Sequence, residues 1–234
     1  MNGWSEAVKQ VMPHVVKIEL PDSHGSGFLI AYCNAGRNRQ YVVIATAAHV
    51  VRHAAKWEVP CRIHYQGQEL VLKPEQRAMG LFGNEDVGVI QFDPGDLKLP
   101  SQALTVLDRK TVLQPGYPLG WCGFPNIMDW HNCFFAGHVS TPVVGSEGDY
   151  LVDGVVIHGV SGSPAVAVMD GKVVLVGLVS AYYPNRATGE ALPGMGLVQS
   201  IQPIVDFFVQ ANKRGRKESR HGKAKSKPCS GDKT

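Results

Sequence analysis

Residues 159–164 read Gly159-Val160-Ser161-Gly162-Ser163-Pro164 and set one serine between two glycines. A serine hydroxyl is a weak nucleophile until a base takes its proton and backbone N–H groups face the developing oxyanion. Glycine tolerates the unusual backbone angles of a turn that can supply such N–H groups. The stretch therefore predicts that Ser161 is a nucleophile. The simpler alternative is an ordinary Gly/Ser/Pro turn, which is common in β proteins.

A candidate base and a candidate carboxylate precede this serine, each beside an apolar run. His49 follows the run at 41–45, within Thr46-Ala47-Ala48-His49-Val50, and Asp86 precedes the run at 87–90. The chain order His, Asp, Ser differs from the Ser, Asp, His order of α/β-hydrolases and from the Asp, His, Ser order of subtilisin-like enzymes. Taken singly, His49 reads equally well as a packed histidine and Asp86 as a turn or cap residue. The hypothesis depends on their joint order.

The segments together resemble the chymotrypsin/trypsin-like serine peptidase family, in particular the bacterial branch with HtrA-type and glutamyl-endopeptidase-type enzymes. Residues 25–30 are similar to an early barrel strand of that family, and residues 176–180 to its substrate-binding strand. The resemblance covers roughly residues 14–210, and its specific motifs are the Ser161 hexapeptide and the His49 segment. It implies an all-β fold of two antiparallel six-stranded β-barrels packed together, with a C-terminal helix.

A chain of 234 residues can bury a full core as one unit. We expect a peptidase domain over residues 1–212 and a basic flexible tail over 213–234. Apolar runs between turn signals predict strands at 14–20, 27–33, 41–45, 61–65, 69–72 and 87–92 for a first barrel at about 14–95, and at 133–140, 150–157, 165–169, 173–180 and 196–199 for a second at about 110–200. Near-helical apolar spacing predicts a closing helix over 201–211.

The resemblance also implies the roles of the site residues. His49 accepts the proton of Ser161, and Asp86 orients the imidazole. The backbone N–H groups of Gly159 and Ser161 form the oxyanion hole. By alignment to the hexapeptide, the substrate pocket is lined by Val155, His158, Val179, Ser180, Ala181 and Tyr182, and Ser180 also supports Asp86. No acid is placed to receive Lys or Arg, so a small or medium apolar side chain is expected, while His158 keeps a preference for Glu open.

Other residues compete for these roles. Asp93, Asp96 and Asp108 are rival acids in loop-like contexts, and Ser163 is a rival nucleophile at a position that usually holds glycine in the family. Val160 stands where zymogen-activated members have an aspartate, which predicts either activity without cleavage of a propeptide or control by another mechanism.

The sequence predicts no metal and no cofactor. A zinc site would draw on Cys122, His131, Cys133 and His138, but their spacing matches no standard ligand pattern. The five cysteines cannot all pair within one chain, which favours a reducing compartment. The first ten residues do not read as a signal peptide, and no run of about 18 apolar residues occurs. We therefore expect a soluble, cytoplasmic protein that makes no contact with membranes.

The net charge of +3 is unevenly distributed. Residues 213–234 hold 9 Lys/Arg against 2 Asp/Glu, a net +7, whereas residues 1–212 hold 14 against 18, a net −4. Such a tail can bind nucleic acid or an acidic partner, although basic tails more often serve solubility. The leading hypothesis is a serine endopeptidase acting on protein or peptide substrates. The alternatives are a catalytically silent peptidase-like binding module with a basic tail and a nucleic-acid-associated protein.

Overall fold

The computed structural model describes residues 3–34, 40–82, 85–127, 131–143, 148–184 and 191–211, with the side chains of 181–184 and 191–193 outside this description. The first lobe is a sheet of seven antiparallel strands in the order β5-β4-β1-β2-β3-β7-β6. These strands are β1 (Val15–Glu19), β2 (His24–Asn34), β3 (Gln40–Ala47), β4 (Cys61–Tyr65), β5 (Gln68–Leu72), β6 (Arg77–Leu81) and β7 (Val87–Phe92). The tail at 213–234 lies outside the described residues.

The second lobe is a closed antiparallel barrel of six strands in the order β10-β13-β12-β11-β8-β9. Its strands are β8 (Pro118–Gly123), β9 (Cys133–Pro142), β10 (Tyr150–Asp153), β11 (Pro164–Met169), β12 (Lys172–Pro184) and β13 (Ala191–Gln199). Closure leaves no free edge among the described strands of this lobe. The largest buried side chain of the barrel core is Trp121.

In the part of the chain that the structure describes, three α-helices accompany the lobes, namely α1 (Gly3–Val11), α2 (Ala48–Trp57) and α3 (202–211). Helix α1 buries Ala7 and Val11 and packs Trp4 against Phe134 of β9, with the rings tilted by 44° and 5.4 Å between their centroids. Helix α3 packs on the first lobe. Its Phe207 ring lies edge-on to the ring of Phe82, which follows β6, with 5.8 Å between the ring centroids. Each end of the described chain therefore packs on the lobe that is farther away in sequence. No helix among the described residues is both long and apolar enough to cross a lipid bilayer.

The structure confirms the all-β class, the six-stranded second barrel and the C-terminal helix. The first lobe differs in detail from the prediction, because it has seven strands in an open hydrogen-bonded order rather than six in a closed one. The additional strand is β6. Strand β6 is one edge of the sheet and lies close to β5, the strand at the opposite edge. The short segment 73–76 joins the two strands, and the Arg77 side chain donates to the Leu72 carbonyl at 2.9 Å. The sheet thus curls into a partly closed barrel.

Candidate active site

Asp86 both caps helix α2 and holds the His49 imidazole. The helix begins without a side-chain cap of its own at Ala47. Asp86, which immediately precedes β7, supplies the missing acceptors: its Oδ1 accepts from the His49 amide at 2.7 Å and its carbonyl from the Ala48 amide at 3.1 Å. The first N–H groups of a helix need such partners and favour a negative charge. The same contacts place the His49 ring beside the carboxylate.

The carboxylate of Asp86 receives two further hydrogen bonds. His49 Nδ1 and Ser180 Oγ both donate to Asp86 Oδ2, each at 2.6 Å. An ionised carboxylate only accepts, so Nδ1 carries the ring hydrogen of the neutral imidazole and Nε2 is left as the acceptor. Burial alone would raise the pKa of Asp86. The hydrogen bonds from His49 and Ser180, with the positive charge that His49 carries when it is protonated, outweigh burial and hold the pKa of Asp86 below its ordinary value.

The turn that carries Ser161 has its carbonyl groups tied down by the rest of the protein. The carbonyls of residues 158–161 accept in turn from Asn126 N at 2.8 Å, Ser26 Oγ at 2.7 Å, Ser163 N at 3.0 Å and Ser26 N at 2.8 Å. Among the described residues, the amides of Gly159 and Ser161 find no protein acceptor. In a trans peptide the N–H points opposite to the C=O. Because the His158 carbonyl is held by Asn126, the Gly159 amide is directed the other way.

Two glycines of this turn adopt backbone angles that other residues rarely take, with φ of +91° at Gly159 and +87° at Gly162. A Cβ on Gly159 would lie 2.2 Å from the Phe124 carbonyl oxygen, and one on Gly162 would lie 2.1 Å from the Ser26 carbonyl oxygen. Both contacts are far inside van der Waals distance. The turn therefore depends on glycine at both positions for its angles and for its close packing.

One cleft between the lobes gathers these groups. It has a volume of ≈ 280 Å³, and its lining includes His49 and Val50 from α2 and Gly159 and Ser161 from the turn. Several polar residues complete the wall, namely Asp22, Ser23, His24, Asn126 and His158. The structure thus places the predicted base, nucleophile and amide donors around one space, with Asp86 behind the base.

The predicted pocket residues fall into three groups. Val155 and His158 lie on the segment before the turn, where Val155 is 48% exposed and His158 lines the cleft. Val179 and Ser180 are buried, and the Ser180 hydroxyl is engaged with Asp86. Ala181 and Tyr182 belong to β12, but their side chains lie outside the described residues.

The competing residues have structural roles. Ser163 is 0% exposed, so a substrate cannot reach its hydroxyl. Asp93 and Asp108 each accept from a backbone amide two residues ahead, as turn residues do.

The cysteines of the zinc alternative include Cys122. Burial, together with the neighbouring Cys133, raises the pKa of Cys122 to about 12, which keeps that thiol protonated. Within the described ranges, no group of three His, Cys, Asp or Glu side chains could hold a metal ion.

Sequence reasoning missed four residues around this site. Ser26 and Asn126 donate hydrogen bonds to carbonyls of the turn, and the Phe124 amide donates to the Ser26 hydroxyl. Such contacts leave no periodic signal in the sequence. His24 reaches the cleft from the start of β2. The one available hint was the placement of Ser26 between two glycines, which is unusual for the interior of a buried strand.

No protein-family model matches the chain, and no curated protein matches it in sequence. Solved structures do match. The serine endoprotease from Yersinia pestis superposes with a TM-score of 0.64 at 18% identity, over 91% of this chain and 67% of that one. Deg5 gives a TM-score of 0.61 at 19% identity, over 86% and 90%. The inactive form of Rv3671c from M. tuberculosis H37Rv gives 0.57 at 16% identity, over 87% and 89%.

At these identities the similarity concerns the fold. The chain has the two-lobed fold of the chymotrypsin/trypsin-like serine proteases, in the form found among HtrA-type and Deg-type structures. This confirms at the level of fold the resemblance that the motifs around His49 and Ser161 indicate.

Proposed function

We propose that the chain is a serine endopeptidase that cleaves peptide bonds through an acyl-enzyme. The Ser161 hydroxyl attacks the scissile carbonyl while His49 Nε2 takes its proton. His49 then returns that proton to the leaving amine, and water hydrolyses the acyl-enzyme by the same steps. The negative charge of the tetrahedral intermediates is met by the amides of Gly159 and Ser161.

The observation that carries this proposal is the pairing of a preset base with a preset anion site. Asp86 fixes the tautomer of His49 through a 2.6 Å hydrogen bond. Across the same cleft, the tied carbonyls of 158–161 leave two neighbouring amides free to bind an oxyanion. A module that only bound peptides would need neither feature. The geometry therefore favours an enzyme over the silent binding module.

The proposed substrate has a small or medium apolar side chain before the scissile bond. Val156, next to the predicted Val155, packs on β13 so closely that a Cβ on Gly196 would lie 2.3 Å from Val156 Cγ2. Gly196 is opposite Tyr182 in the strand register. Apolar groups thus crowd the region where the alignment puts the specificity pocket, and an apolar wall excludes an unpaired charge.

The test is cleavage of an unfolded protein such as reduced casein, with mass-spectrometric mapping of the cut sites. The wild type is expected to cut after small and medium apolar residues. Ser161→Ala is expected to lose at least about 1,000-fold in rate, because the nucleophile is gone. Ser163→Ala removes the adjacent buried hydroxyl and is the matched control that keeps activity. Equal cleavage by the wild type and Ser161→Ala would reject the proposal.

A cytoplasmic location, and binding of nucleic acid or an acidic partner by residues 213–234, remain predictions from the sequence.

A further inference from the structure

Ser26 is a fully buried polar residue of β2 at the junction of the two lobes, with 0% of its surface exposed. Its hydroxyl donates to the Gly159 carbonyl at 2.7 Å and accepts from the Phe124 amide at 2.9 Å. Its own amide donates to the Ser161 carbonyl at 2.8 Å. One residue of the first lobe therefore bonds to both sides of Val160 in the turn and to the segment that follows β8.

The Gly159 carbonyl depends on this hydroxyl. Ser26 Oγ is its hydrogen-bond donor among the described residues, and a buried carbonyl left without a donor costs about 1–3 kcal/mol. Gly159 has no side chain to resist rotation, and its φ of +91° is one of several that glycine can adopt. Without the hydroxyl, the Gly159–Val160 peptide would gain by rotating toward another donor. Such a rotation would also move the flanking amides of Gly159 and Ser161.

We infer that Ser26 is a positioning residue that holds the Gly159 peptide so that the oxyanion-binding amides face the cleft. The inference rests on the proposed function, because it assigns Ser26 a part in that chemistry. Ser26 acts through the backbone of the turn and lines none of the cleft wall that a substrate would touch. Its effect belongs to the transition state, in which the oxyanion forms, rather than to substrate binding.

The experiment measures how fast a fluorophosphonate probe labels the full chain, separating the maximal rate constant from the half-saturating probe concentration. Ser26→Ala is expected to lower the maximal rate about 10- to 100-fold, with the half-saturating concentration within about threefold of wild type. The matched control is Thr46→Val. Thr46 Oγ1 donates to the Ser26 carbonyl at 2.7 Å, so this variant also removes one buried hydroxyl bond but spares the Gly159 carbonyl. It is expected to label within about twofold of wild type.

Hydrogen exchange of the turn gives a second readout. The amides of Val160, Gly162 and Ser163 are bonded to the carbonyls of Ile157, Val179 and Val160, at 3.1, 2.7 and 3.0 Å. Exchange at these amides is expected to speed up in Ser26→Ala and not in Thr46→Val. If Ser26→Ala fails to fold, Ser26→Thr, which keeps the hydroxyl, is measured instead. We expect this variant to exchange like the wild type in the turn and to be labelled at no less than about one-third of the wild-type rate.

The outcomes separate the two proposals. In one outcome the probe reacts with the wild type and not with Ser161→Ala, and Ser26→Ala has the same labelling rate and hydrogen exchange as Thr46→Val. That outcome overturns the Ser26 inference and leaves the endopeptidase proposal standing. If neither the wild type nor Ser161→Ala reacts with the probe, the endopeptidase proposal fails. In that case, unchanged hydrogen exchange in Ser26→Ala would also overturn the positioning role. Faster exchange would instead support the claim that Ser26 holds the backbone of the turn. A Ser26→Thr variant with both slow labelling and fast exchange would equally count against it.

Discussion

At the scale of single residues, Asp86 connects the start of a helix to the chemistry of a side chain. One of its carboxylate oxygens caps α2 through the His49 amide, and the other receives the His49 ring and the Ser180 hydroxyl. The cap fixes where the helix begins, and the helix fixes where the imidazole lies. A substitution at Asp86 therefore affects both stability and activity.

This arrangement makes part of the stability of the protein depend on pH. The folded pKa of Asp86 lies below its ordinary value of 3.8, so between the two values the unfolded chain binds more protons than the folded one. Stability from ionised Asp86 is thus complete above the ordinary pKa and is lost as the pH falls through the folded pKa. Asp86→Asn cannot titrate.

We therefore expect the difference in free energy of unfolding between wild type and Asp86→Asn to shrink as the pH is lowered from 6 toward 2. Urea unfolding at a series of pH values measures it. Glu19, whose pKa is also lowered, is present in both proteins, so its contribution cancels. A difference that stays constant over this range would contradict the role given to Asp86.

Ser161, His49 and Asp86 could be predicted as site residues from the sequence because Ser161 lies in a glycine-bracketed turn and the other two lie beside apolar runs. Ser26 and Asn126 could not be predicted in this way, because they act by hydrogen bonds to the backbone of the Ser161 turn. Asn126 is more than 30 residues away from that turn in sequence, and Ser26 belongs to the other lobe. The identity of a residue says little about such a contact until the fold has been built.

At the scale of elements, the predicted strands with clear apolar runs are present, and the missed elements lack that pattern. Strand β8 contains a proline and two glycines, residues that strands generally avoid. Strand β6, with the sequence RAMGL, shows no alternation of apolar and polar residues. Helix α1 has its apolar residues at 4, 7, 8 and 11, which is a helical spacing, but the pattern is short and easily overlooked.

Arg77 shows why β6 is nonetheless stable in this place. Its guanidinium donates to the carbonyls of Leu72, Ala54 and Val59, at 2.9, 3.2 and 2.5 Å, and so joins β6 to β5 and to the end of α2. The carbonyls at the C-terminal end of a helix are favourable partners for a cation. The strand is thus held by side-chain contacts as well as by its pairing with β7.

We expect Arg77→Met to lower the free energy of unfolding by about 1–3 kcal/mol, because it keeps the apolar stem and removes the donors. The control is Arg52→Met on the exposed face of α2, which should change stability by less than about 0.5 kcal/mol. Chemical denaturation of both variants measures the effect. Equal stability of the two variants would show that Arg77 does not hold the edge of the sheet.

At the scale of the whole molecule, the candidate site exists only where the lobes meet. His49 and Asp86 come from the first lobe, and Ser161 and Ser180 from the second, while the bonds from Ser26 to the Ser161 turn join the two. The terminal helices strengthen this union, since each crosses to the distant lobe. Local sequence patterns predict strands but not how far a sheet closes. The closed six-stranded first barrel is implied by the family resemblance alone, and the first lobe instead has seven strands in an open order.

Peptide mapping by mass spectrometry after reaction with a fluorophosphonate tests directly whether Ser161 is a nucleophile that His49 activates. We expect a single phosphonyl adduct on Ser161, formed at least about 100-fold more slowly in His49→Ala because the base is missing. An adduct on another residue, or equal rates in the wild type and His49→Ala, would contradict it.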